Sequence, residues 1–206
     1  MKFVFLVEGP TEQKCLPDFL RRWLDHSLPQ RRVGIQVVTH EGWPDLVRDL
    51  PKRVPLHLRN EDVIAVVALL DLYGPTFYPD GLDALGRRDW GRKHFEKQFN
   101  DPRFRFYFAV HEIEALILSQ PELLPEKVRK ALPGKAKEPE TVNFNEPPGK
   151  LLIRLFKEKH HTPYRKKMDG KDFFGRLDPD AVHRRCPSFA TMMDELLVLA
   201  KARGAA

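Results

Sequence analysis

Residues 63–71 read Val-Ile-Ala-Val-Val-Ala-Leu-Leu-Asp, and residues 2–8 read Lys-Phe-Val-Phe-Leu-Val-Glu. Both are short apolar runs without alternation, rich in β-branched or aromatic residues, and each ends on an acid. A strand buried on only one face alternates apolar and polar residues. An unbroken run of six to eight apolar residues predicts a strand covered on both faces, as in the middle of a parallel sheet. Lys2–Val7 and Val63–Leu70 are therefore the expected central strands.

Working outward, the Lys2–Val7 run meets Glu8-Gly9-Pro10-Thr11-Glu12. Cys15, Leu16, Phe19, Leu20, Trp23 and Leu24 then recur at helical spacing. Pro17 fits that helix only near its start. Val33–Thr39 predicts a further strand. Trp43 to Leu58 has helical period, with Pro51 and Pro55 arguing for a break or kink. Tyr73–Asp89 is rich in Gly, Pro and Asp and reads as a long surface loop, followed by a short helix over Trp90–Phe99. Arg103–Val110 predicts a fourth strand, with Arg103 and Arg105 opposite Phe104 and Phe106. His111-Glu112-Ile113-Glu114 leads into a helix through Leu118.

Strands alternating with helices predict an α/β fold, a mostly parallel four-stranded sheet flanked by helices. Past Gln120 no strand is expected. Pro147–Lys159 and Pro187–Lys201 read as helices on either side of a polar, basic stretch, Lys157–Lys171. The expected organisation is an α/β core over 1–119 and a helical C-terminal extension over 120–206 packed on it.

Composition bounds the function. In 206 residues, 42% are hydrophobic and 31% charged, enough for a core and against global disorder. Cys15 and Cys186 are the two cysteines, too few for a disulfide scaffold. No apolar stretch approaches a membrane span, and Phe3–Val7 is too short for a signal-peptide core, so the expectation is a cytoplasmic protein without a membrane partner. The formal charge of +6 suits a polyanion such as nucleic acid, and equally many ordinary proteins. No Walker-type phosphate loop is present, so any ATP hydrolysis would belong to a partner.

The acids carry the functional signal. Ligands of open parallel sheets bind beyond the carboxyl ends of the strands. If the strands ending at Glu8 and Asp71 are neighbours, their carboxylates converge there. Alone, either acid is an ordinary solvated loop residue or the partner of a helix dipole. Together with Glu12 they form a hard-oxygen set suited to Mg²⁺ or Mn²⁺, and Gly9 would allow close approach of backbone to phosphate. Glu112 and Glu114 either favour a helix start or complete a metal shell, with His111 positioning substrate or water. Lys150 could reach a phosphate. Arg165, Lys166 and Lys167 form a run that is either a solvated face or a set of nucleic-acid backbone contacts. His160-His161 reads as surface, and both cysteines as packing.

Glu8-Gly9-Pro10-Thr11-Glu12 resembles the EGxxE motif of Toprim domains, and Asp71 resembles the first Asp of their DxD motif. Val7–Glu12, Leu70–Gly74, His111–Leu116, Glu138–Asn143, Pro148–Lys150, Tyr164–Gly170 and Arg185–Phe189, in this order, resemble a bacterial Toprim-like family catalogued as domain-of-unknown-function family 4276. The resemblance implies a Toprim-like fold and Mg²⁺-dependent phosphoryl transfer in nucleic acid. It is similar to the nuclease of overcoming-lysogenization-defect systems, which implies an ATPase partner in phage defence. On that reading Glu8, Glu12, Asp71 and Lys150 are catalytic. Glu8, Glu12, Asp71, Glu112 and Glu114 are the metal ligands. Gly9, His111, Arg165, Lys166 and Lys167 bind substrate, DNA rather than RNA. Tyr73 stands where the pattern has its second Asp. That departure keeps open an alternative, a catalytically degenerate module that binds a partner or senses a phage component.

Overall fold

The computed structural model describes residues 1–142 and 145–203. Asn143, within one of the family-like stretches, lies outside the described residues. The elements run β1 (Lys2–Val7), α1 (Pro10–Ser27), β2 (Gly34–Thr39), α2 (Trp43–Leu58), β3 (Val63–Asp71), α3 (Ala84–Glu96), β4 (Phe104–Ala109) and α4 (Ala115–Leu118). The C-terminal helices are α5 (Glu126–Lys130), α6 (Pro148–Leu155), α7 (Lys166–Arg176), α8 (Pro179–Arg185) and α9 (Pro187–Arg203). No strand occurs past Gln120 among the described residues.

The four strands form one all-parallel sheet in the order β2-β1-β3-β4. The chain leaves β1 toward one edge and β3 toward the other. The order therefore reverses between β1 and β3, the place where open α/β sheets hold ligands. The two central strands are buried on both faces, as their unbroken apolar runs require. Alternate residues feed two cores. Phe3, Phe5, Val67 and Leu69 pack with Leu16 and Phe19 of α1 and with Leu152, Phe174, Phe189 and Met192 of the C-terminal helices. Val4, Leu6, Val66 and Ala68 pack with Leu46, Leu50 and Val54 of α2. The C-terminal helices thus share a core with the sheet. Glu195 of α9 also ties them to its edge, accepting from Arg92 at 2.6 Å and from the Tyr107 hydroxyl at 2.7 Å.

Several local expectations need correction. Helix α2 is unbroken: Pro51 and Pro55 are one turn apart on the exposed side, so the bonds they cannot make fall where water replaces them, while Leu50, Val54 and Leu58 hold the buried side. Helix α1 likewise passes through Pro17 in its interior. The loop after β3 is shorter than Tyr73–Asp89, because α3 starts at Ala84. Asp83 caps it, its carboxylate accepting from the Gly86 N–H at 2.7 Å, and the helix ends at Glu96 rather than Phe99. Within the basic stretch ending at Lys171, which carried no expectation of structure, α7 begins at Lys166 and buries Phe173 and Phe174.

Candidate functional site

The carboxyl ends of β1 and β3 bring Glu8 and Asp71 together. Val7 is in register with Leu69, which sets Glu8 beside the last turn of β3. The Asp71 N–H donates to Glu8 Oε1 at 2.7 Å, and Asp71 Oδ1 accepts from the Ile113 N–H at 3.0 Å. Glu12 joins them because α1 starts at Pro10, immediately after the turn at Gly9, and places its first inward side chain over the strand ends. Glu12 is only 9% exposed. A Cβ on Gly9 would lie 3.6 Å from Glu12 Oε2, ordinary contact, so the glycine keeps the backbone close to the carboxylate without being sterically required.

The segment after β4 adds Glu112 and Glu114. Helix α4 is only four residues long, with Glu114 at its N-cap position but making no side-chain cap bond; Glu112 instead meets the first turn of α6. Glu112 accepts from the Gly149 N–H at 2.7 Å and from Lys166 Nζ at 3.1 Å. Glu114 is 2% exposed, and neither of its oxygens has a hydrogen bond; Lys166 Nζ lies 3.3 Å from Oε1 as counter-charge.

Crowding and burial set the protonation of this cluster. Burial pushes Glu8 up to about 7, opposed by the Asp71 N–H and reinforced by Glu12. Burial likewise pushes Glu12 up to about 7, against the N–H groups of the first turn of α1 and with help from Glu114. Asp71 is raised well above the carboxylate range by burial, then by Glu12 and Glu8. Glu114 is raised by burial, with Lys166 acting against it. For Lys166 burial opposes the charge, yet Glu114 and Glu112 outweigh it and hold the ammonium firmly protonated.

The cations divide. Lys166 is drawn into the acid cluster, while Lys167 on the next position is exposed. Arg165 turns to Asp169 at 3.1 Å on its own helix. Lys150 is exposed and donates to the Tyr73 hydroxyl at 2.9 Å, with its ammonium 5.1 Å from the Tyr73 ring centre. Tyr73 thus presents a phenol, with a lysine on it, where the Toprim pattern has an acid. His111 is buried just past the end of β4 and lines a separate cavity. His160 and His161 are exposed, and Cys15 and Cys186 are buried thiols.

Gly149 is the residue that sequence reasoning missed. A Cβ there would stand 2.5 Å from Lys166 Nζ and 2.9 Å from Glu112 Oε2. With glycine there, the start of α6 presses its N–H onto Glu112 and leaves room for the lysine, which a larger residue would displace. The available signal was the Pro147-Pro148-Gly149 turn before Lys150.

The match to known proteins agrees with the order of these segments. Residues 7–197 match the family described as Domain of unknown function (DUF4276). The chain belongs to that family. No curated protein and no solved structure matches it. The DUF4276 match spans every element from the end of β1 to within α9, and so includes all the residues of the acid cluster.

The donor set suits a hard divalent cation: five carboxylates and no sulfur or imidazole, with Oε2 of Glu114 lacking any partner and Oε1 paired to Lys166 alone. Among the described residues, however, no three His, Cys, Asp or Glu side chains are gathered into a metal-holding group. The chemistry of the donors fits; as they stand, a lysine supplies the positive charge. No helix among the described residues is long and apolar enough to cross a membrane.

Proposed function

We propose that this protein is a cytoplasmic, Mg²⁺- or Mn²⁺-dependent nuclease that hydrolyses phosphodiester bonds, in DNA rather than RNA. We further propose that it is similar to the Toprim nuclease of overcoming-lysogenization-defect systems and works with an ATPase partner in phage defence. The observation that carries the reading is the cluster of buried and half-buried carboxylates at the point of sheet reversal, with proton affinities raised first by burial and then by their neighbours' charges. A metal-free cluster of this kind is costly, and binding a divalent cation relieves the cost.

Glu8 and Asp71 would hold the cation, with Glu12 as a further ligand or as the base for the attacking water, and Glu112 or Glu114 as an additional ligand. When bound, the cation would polarise the scissile phosphate and make water acidic enough to attack at neutral pH. Lys166 and Lys150 would neutralise charge on the phosphoryl oxygens, and exposed Lys167 and Arg165 would contact the backbone of the strand.

The test is isothermal calorimetry with Mg²⁺ and Mn²⁺, and cleavage of plasmid and single-stranded DNA, on wild type and Asp71→Asn. Metal binding and cleavage by wild type, with cleavage at least about 100-fold lower in Asp71→Asn, is expected if the ligands act as a unit. Equal cleavage by the two would refute the site.

One observation favours a second reading, a non-catalytic module that binds a partner: Lys166 already balances Glu112 and Glu114, and Tyr73 replaces an acid. No metal bound and no cleavage, with or without an ATPase partner, would select it.

A further inference from the structure

A cavity of about 650 Å³ is lined by His111, the residue before Glu112, and by none of the cluster's carboxylates. Its walls come from the first turn of α3 (Leu85, Arg88), the end of β4 (Val110, His111) and the first turn of α9 (Pro187, Thr191). These walls are fixed. Both oxygens of Glu140 accept from the N–H groups of Ser188 and Phe189, at 2.8 and 3.0 Å, which pins the start of α9. Arg88 donates to the Ser188 hydroxyl at 2.8 Å, which joins α3 to α9 across the cavity floor. Leu85 stands 55% exposed at the rim, an apolar side chain that the fold itself does not cover.

The cavity is coupled in space to the acids. His111 lines it, and the His111 carbonyl accepts from the Tyr73 N–H at 2.9 Å; two residues on, the Ile113 N–H binds Asp71. The segment that lines the cavity at His111 is thus the same one that binds Asp71 and carries Glu112 and Glu114. The lining matches a base better than a backbone. Leu85, Val110 and Pro187 offer apolar contact to a π face; Arg88 is held by Ser188 and Asp89 but has N–H groups beyond those bonds, and the Thr191 hydroxyl, which donates to the Pro187 carbonyl at 3.0 Å, can still accept from a base edge. The volume falls in the range of pockets that enclose small organic groups.

We propose that this cavity is a nucleobase subsite, taking an unstacked base next to the scissile phosphate and so selecting single-stranded or locally opened nucleic acid. The proposal rests on the nuclease reading of the acid cluster and names the substrate form that cluster takes.

The experiment measures binding by fluorescence anisotropy in Ca²⁺ buffer. The probes are a labelled single-stranded DNA 12-mer and a 12-mer of the same sugar-phosphate chain with every base replaced by an abasic site. Wild type is expected to bind the base-bearing strand about tenfold more tightly, the size of one buried base contact. Thr191→Trp, which fills the cavity from α9, is expected to erase that preference and leave the abasic affinity unchanged. Leu85→Ala, at an exposed rim position that does not support the fold, is expected to reduce the preference by about threefold. It serves where Thr191→Trp does not fold. Equal binding of both strands by wild type would overturn the subsite, as would an unchanged preference in the variants. If either result came with cleavage that depends on Asp71, the nuclease reading would survive the loss of the subsite. Binding of neither strand would overturn both.

Discussion

Replacing Glu12 by glutamine tests the physical basis of the site without assuming any activity. Glu12 is nearly buried, and its carboxyl is raised from an ordinary 4.5 to about 7. Raising a carboxyl that far costs its charged form about 3 kcal/mol at neutral pH relative to the unfolded chain. The folded state holds the proton more tightly than the unfolded state. Stability is therefore greatest at low pH and declines as pH rises from about 4.5 to about 7, above which the full penalty applies. Glutamine keeps the shape and removes the charge, so it abolishes this component. Against it stand the loss of attraction to Lys166 and to the N–H groups of the first turn of α1. A net gain of about 1–3 kcal/mol is expected at pH 8, shrinking toward zero near pH 4.5. For a chain of this length each kcal/mol shifts the melting temperature by about 2–4 °C. Calorimetric melts of wild type and Glu12→Gln in EDTA, from pH 4.5 to 8, read this directly. A variant less stable at pH 8, or a shift that does not change with pH, would refute the account of carboxylate crowding. Adding Mg²⁺ at pH 8 should raise the melting temperature of wild type more than that of the variant, because a bound cation removes the same repulsion.

Gly149→Ala should push the Lys166 ammonium away from Glu112 and Glu114, because the new methyl would overlap it at 2.5 Å. Overpacking of this kind costs about 1–3 kcal/mol. Its melting-temperature deficit should shrink at low pH, where Glu114 takes a proton and no longer needs the lysine; a deficit constant with pH would contradict the pairing. Asp83→Ala removes the cap of α3 and should cost about 1 kcal/mol. Chemical denaturation checks this, and an unchanged midpoint would mean that the Gly86 N–H finds another acceptor.

The sequence alone determined the parts whose cause is local. Buried β-strands need apolar side chains on both faces, so 2–7 and 63–70 reveal themselves as central strands. A residue that directly follows such a strand stands at the sheet edge, so Glu8 and Asp71 were legible as candidates. Helix ends were less legible. Asp83 caps α3 through a single hydrogen bond inside a stretch whose composition says loop, and Pro51 and Pro55 break nothing because both face solvent. Only the tertiary structure decided which charges meet. Lys166 and Glu112 are 54 residues apart, Lys150 and Tyr73 77 apart, and Glu8 and Asp71 63 apart. A run of basic residues looks the same whether it faces water or an acid. Lys166 became a half-buried counter-ion and Lys167 a surface charge because α7 packs against α1 and carries the Lys166 ammonium to Glu112 and Glu114, and Gly149 leaves the space that the ammonium occupies.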